Sequence, residues 1–159
     1  MKLTDIQDYL LPTERDDWDE LLAPWAELVP ESSSRWLLSR FGEVFLEQAD
    51  GKIGMLQVSS FQYEVVADHK QDFEDWLADP EKMDEWFLAP LVDRLVSADK
   101  TLELGQCYSF ITPLGLGGQV ADDNVMMIPI KEHFLLFGDV FQQIKDLPDG
   151  SEVQLRITD

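Results

Sequence analysis

From Phe41 to Ala67 the side chains sort onto two faces with the period of a strand, and this stretch constrains the fold more than any other. Val44 and Leu46 fall on one side, and Glu43, Phe45 and Glu47 on the other, the period of a strand rather than of a helix. Asp50-Gly51 is a type I′ hairpin signal, and Lys52 to Val58 reads as the returning strand. Ser59-Ser60 breaks the chain again, after which Phe61, Tyr63 and Val65 alternate onto one face. The pattern predicts a three-stranded antiparallel meander.

The flanking segments have helical spacing. In residues 1–40, expected as an N-terminal helical segment packed on a 41–159 core, Thr13 is placed to cap a stripe of Trp18, Leu21, Leu22 and Trp25. Pro24 bends or ends that helix, and Arg35 to Arg40 are expected as a short second one, ending near Gly42. After the meander, Asp68 is expected to cap a helix carrying Phe73, Trp76 and Leu77. Asp79-Pro80-Glu81 is a second start signal, with a capping carboxylate, proline in the first turn and an acid behind it. Met83, Phe87, Leu91 and Leu95 then repeat every four residues, with Pro90 kinking or splitting the helix. Strands are expected within 102–111 and 125–128, a last helix over about 129–147 with Phe134, Phe137, Phe141 and Ile144 on one face, and a closing strand over 152–157 after Asp149-Gly150. The expected class is a single α+β domain, an antiparallel meander packed with several helices.

Charge limits the partners. With 32 acidic and 12 basic residues the formal net charge is -20, which repels nucleic acid and anionic membrane surfaces and attracts basic proteins. No signal peptide is recognisable at the start, and no run approaches the ~20 apolar residues that span a bilayer. A cytoplasmic protein is expected.

Catalytic chemistry finds little support. His69 and His133 are far apart, and HExxH, paired CxxC and GxSxG patterns are absent from the sequence. A metal site or cofactor is not expected. Cys107, the one cysteine, sits in a strand-like run and is expected as a buried, inert thiol. The stretch Ala121 to Asn124 lacks the ligand spacing of a calcium loop, and Gly115, Gly117 and Gly118 lack the third glycine and the lysine of phosphate cradles. With so many acids, a hydrolase built on paired carboxylates stays open as a remote alternative; it needs a cleft and a carboxyl of raised pKa.

One surface is conspicuous. Asp68, Asp72, Glu74, Asp75, Asp79, Glu81, Asp84 and Glu85 fall on two consecutive helices whose apolar sides belong to the core. Either this is a solvated helix face or it docks a basic protein. For docking, the candidate residues are Asp72, Asp75, Glu81, Asp84 and Glu85, together with Asp122 and Asp123 in the later loop.

Several motifs in order carry a family resemblance. They run from Phe41-Gly42-Glu43 through Asp50-Gly51, Trp76 to Pro80, Glu85 to Leu88 and Leu91 to Leu95. The clearest is Leu104 to Phe110, followed by Thr112-Pro113 and Leu116-Gly117-Gly118, with Asn124-Val125, the region of His133 and Asp146 to Gly150 after it. Over residues 35–150 this resembles the bacterial family that forms the C-terminal domain of a type VI secretion immunity protein, which protects its producer against a DNase effector. The resemblance implies a non-enzymatic protein that neutralises a basic nuclease-type toxin by stoichiometric binding, with Gly105, Cys107, Tyr108, Phe110, Pro113, Gly117 and Gly118 as structural motif residues. Leu114 and Gly115 depart from the family's glycine loop, and Pro90 interrupts a helix expected to be continuous. A regulatory or scaffolding module with another partner is the alternative.

Overall fold

The alternation that begins at Phe41 becomes the middle of a five-stranded antiparallel sheet in a computed structural model that describes residues 3–147. Its strands, β1 (Leu10–Leu11), β2 (Ser34–Ser39), β3 (Val44–Glu47), β4 (Ile53–Gln57) and β5 (Gln62–Ala67), lie in sequence order. The expected meander is therefore present and is extended by two strands from the N-terminal segment. The turn at Asp149-Gly150 and the closing strand at 152–157 lie outside the described residues.

Residues 35–40 overturn one expectation: they form β2, not a helix. Leu38 packs on one side of the sheet with Trp25 and Phe134, and Leu37 on the other with Phe45 and Phe73. A strand covered on both faces is apolar without alternation, so its period is lost from the sequence. A register shift between Arg35 and Leu37 adds a further irregularity.

Strands β3 and β4 pair Val44 with Leu56 and Phe45 with Met55, which sends Val44, Leu46 and Leu56 to one layer and Phe45, Ile53 and Met55 to the other. The turn between them is not type I′. Gly51 has φ +86° while Asp50 stays at negative φ, and the Gly51 amide donates to the Gln48 carbonyl at 2.9 Å. That is a type I turn closed by a glycine bulge. In β5, Tyr63 reaches inward and its hydroxyl donates to Gln48 at 2.5 Å. Val65, expected beside it, is exposed, because the register shifts between Ile53 and Gly54 and burial passes to Ala67. Phe61 lies outside the strand, in a left-handed turn.

Helices cover both faces. α1 (Trp18–Leu22) and α5 (Ile130–Ile144) supply Trp18, Leu21, Phe134, Phe137 and Phe141 to one layer. Asp17 occupies the start of α1, and Thr13 instead accepts the Trp18 indole N–H through its carbonyl at 2.9 Å. α2 (Lys70–Trp76) and α3 (Pro80–Phe87) supply Phe73, Met83, Trp86 and Phe87 to the other layer. There Phe73 and Trp86 stack with centroids 4.8 Å apart, adding about 1 kcal/mol to their burial. His69, not Asp68, precedes α2, and Trp76 points away from Phe73 and is half-exposed.

Pro90 splits the long stripe, as its position predicts. Leu88, at φ +52°, separates α3 from α4 (Ala89–Ser97), and Pro90 falls in the first turn of α4, where a missing N–H leaves no helical bond unmade. Leu91, Val92 and Leu95 then pack on Phe41, Tyr108 and Phe110. The last two residues come from a separate hairpin of β6 (Gln106–Phe110) and β7 (Val125–Pro129). The result is one α+β domain with a layered core.

Candidate functional site

Helices α2 and α3 bury Phe73, Met83, Trp86 and Phe87, so their remaining positions face solvent. Asp72, Asp75, Glu81, Asp84 and Glu85 are all exposed there. The face carries few internal cations: Lys82 pairs with Glu85 at 3.2 Å, Lys70 with Glu47 at 3.7 Å, and His69 lies 3.1 Å from Asp72. Asp79 caps α3 by accepting the Glu81 amide at 2.9 Å. Asp122 and Asp123 are exposed in the loop before β7, and Asp122 receives Arg94 of α4 at 3.0 Å. The two groups of acids belong to different elements, α2–α3 and the loop beside α4.

The motif residues of β6 and its loop are held by packing and backbone hydrogen bonds. Cys107 is fully buried in the layer of Trp18, Leu38 and Phe134, and burial raises its thiol pKa, which leaves it protonated and unreactive. The Tyr108 hydroxyl donates to the Lys100 carbonyl at 2.5 Å. Phe110 stacks on Phe41 at 5.1 Å, and Pro113 is buried. Gly105 and Gly117 take positive φ, and the backbone at Gly118 passes so close to the Thr112 carbonyl that a side chain would collide with it. Asn124 locks this loop: its amide oxygen accepts the Thr112 amide at 2.8 Å, while its nitrogen donates to the Thr112 and Gln119 carbonyls.

Sequence reasoning assigned no site to Glu43, although it placed this residue on the Phe45 face. The chain turns at Ser39–Gly42, where the Gly42 amide donates to the Ser39 carbonyl and the Ser39 hydroxyl accepts the Glu43 amide at 3.1 Å. Glu43 thereby enters the α3-facing layer and is 6% exposed. One carboxylate oxygen, Oε1, accepts the Ser59 hydroxyl at 2.7 Å and the Ser59 amide at 3.4 Å. The other, Oε2, has no hydrogen-bond partner among the described residues. Burial raises this carboxyl to about 7, against the Ser59 hydrogen bonds that pull it down. Glu43 lines a cleft of about 100 Å³ with Phe41, Met55, Trp86 and Leu88, and Glu85 is also in its lining.

Next to it, His133 is fully buried on α5. Its Nε2 donates to the Gly42 carbonyl at 3.2 Å, so the neutral ring accepts the Ser109 hydroxyl at Nδ1, 2.8 Å away. Burial lowers its pKa to about 4 despite the Gly42 hydrogen bond. This is a packing role: the imidazole fills the space that Gly42 leaves open. Among the described residues no three of His, Cys, Asp and Glu converge as metal ligands, and no helix is long and apolar enough to cross a membrane.

These features define an α+β domain with a broad anionic helix face and one buried carboxylate at a small cleft. Residues 67–140, from the end of β5 into α5, match the family model described as T6SS immunity protein Tdi1, C-terminal. The match lies inside the 35–150 range of the motif resemblance and leaves out most of the five-stranded sheet. No curated protein matches the chain.

Proposed function

We propose that this protein is a non-enzymatic immunity protein that captures a basic, nuclease-type toxin in a stoichiometric complex. What carries this is the coincidence of two features: the immunity-family match spans residues 67–140, and the same stretch holds α2 and α3 with their exposed acids and the loop of Asp122 and Asp123. A nuclease holds phosphate with lysines and arginines, so an anionic face competes for the same surface. Charge complementarity would speed the encounter and select the partner. A DNase is met where the chromosome lies, which puts the capturing protein in the cytoplasm.

Catalysis by a carboxylate pair is the weaker idea, although Glu43 has the raised pKa it requires. A glycosidase must hold a sugar ring between its two carboxyls. The cleft at Glu43, about 100 Å³, is far smaller than the few hundred cubic ångströms of a small-molecule site.

The test is binding of a type VI nuclease effector from the same organism, measured by calorimetry at low and at high salt. A one-to-one complex that weakens as salt rises supports capture by the acidic face. Absence of binding at low salt would defeat the proposal, and salt-independent binding would remove its electrostatic part.

A further inference from the structure

We propose that the cleft at Glu43 seats an arginine side chain of the protein partner, with the free Glu43 oxygen accepting the guanidinium and Glu85 standing at the rim. This rests on the immunity reading above and assigns it an anchor point.

A carboxylate that is 6% exposed and uses only one of its two oxygens is an incomplete site. Buried polar groups are nearly always partnered, and an unmatched one points to function when it lines a cavity. Glu43 does line one, and the chemistry of the cleft selects its occupant. With its pKa raised to about 7 the carboxyl is part ionised at neutral pH, and the ionised form, which a neighbouring cation favours, accepts hydrogen bonds and donates none, so the partner that completes it is a cationic donor. The second carboxylate, Glu85, favours a cation over a neutral donor, although Lys82 shares it at 3.2 Å. Phe41 and Trp86 contribute aromatic surface, and the Trp86 ring already draws the Lys82 ammonium to 5.5 Å from its centroid. A planar guanidinium suits such walls better than a hydrated ammonium, because it stacks on rings and sheds water at lower cost. The cleft has room for one such head group and not for a metabolite. Arginine is also among the residues that most often anchor an interface from within a desolvated pocket.

The acids of α3 run up to this cleft through Glu85, so the anionic face and the pocket form one surface. Glu43 itself lies outside the 67–140 stretch matched by the family, and Trp86 and Glu85 lie within it. The anchor is thus built from both parts of the chain.

The test uses N-acetyl-arginine amide as the probe and its neutral isostere N-acetyl-citrulline amide as the control, followed through the Trp86 indole resonance by NMR. The arginine probe should give a saturable shift that citrulline does not, and Glu43→Gln should weaken its binding about tenfold or more, the usual loss for a charged hydrogen bond. Glu85→Gln should weaken it less. Equal response to both probes, equal affinity in Glu43→Gln, or no saturable shift at Trp86 would each overturn the assignment. The same Glu43→Gln protein is then titrated with the effector nuclease. Intact effector binding together with a negative probe result defeats the pocket alone, whereas loss of effector binding by the unsubstituted protein defeats the immunity proposal.

Discussion

Replacing Glu43 by glutamine keeps the side chain's shape and its hydrogen bonds from Ser59 while removing a buried charge. The folded carboxyl is raised from 4.5 to about 7 by burial, so the folded protein holds a proton that the unfolded chain releases between those values. The stability it contributes is complete below the unfolded value and is lost as pH rises through the folded one. Across that interval the loss amounts to about 3 kcal/mol, at roughly 1.4 kcal/mol per pH unit. Glutamine does not titrate, so Glu43→Gln should gain on the parent protein by roughly 2–3 kcal/mol between about pH 5 and pH 8. Urea unfolding followed by tryptophan fluorescence measures this, and the variant-minus-parent difference cancels the other titrating groups. A difference that stays constant with pH within about 0.5 kcal/mol, the usual error of additivity, would refute the reasoning and mean that water reaches Glu43 in the fold.

Other expectations concern single sites. The His133 imidazole, lowered to about 4 by burial, should remain neutral under NMR titration well below its ordinary 6.5. The stability due to its neutral form is present above 6.5 and disappears as pH falls through 4, so a titration midpoint near 6.5 would contradict the buried geometry. Asp79→Ala removes the cap of α3 and should destabilise by about 1 kcal/mol in urea unfolding. Phe73→Ala opens the stack on Trp86 in a fully buried position and should cost about 3–5 kcal/mol. Asp122→Asn breaks only a half-exposed ion pair with Arg94, and its effect on unfolding should stay below about 1 kcal/mol.

Much of the layered core was legible because its residues keep their period. Val44, Phe45 and Leu46 separate cleanly onto two faces, and the stripe Met83, Phe87, Leu91 and Leu95 is buried throughout. The start signal at Asp79-Pro80 and the break at Pro90 are local chemistry, which sequence displays directly. β2 was illegible for the opposite reason: Trp36, Leu37 and Leu38 serve both layers, so no alternation survives. The type I turn at Gly51 and the register shift in β5 depend on how strands pair, which a single strand does not reveal. The exposed acids of α2 and α3 could be placed in solvent from spacing alone. Glu43 was hidden among many carboxylates. Its position on the Phe45 face was readable, but its burial follows from α3 and its Oε1 partner from Ser59, both distant in sequence.

The most direct test of immunity by capture is a titration of a type VI nuclease effector from the same organism with this protein and with a variant in which Asp72, Asp75, Glu81, Asp84 and Glu85 are changed to asparagine or glutamine. These five are exposed, so the variant should fold with the far-UV circular dichroism of the parent. The parent protein should bind one-to-one and suppress DNA cleavage, and the variant should bind more weakly with a reduced salt dependence. Full inhibition by the variant with an unchanged salt slope would contradict capture by the acidic face, and absence of inhibition by the parent would contradict immunity itself.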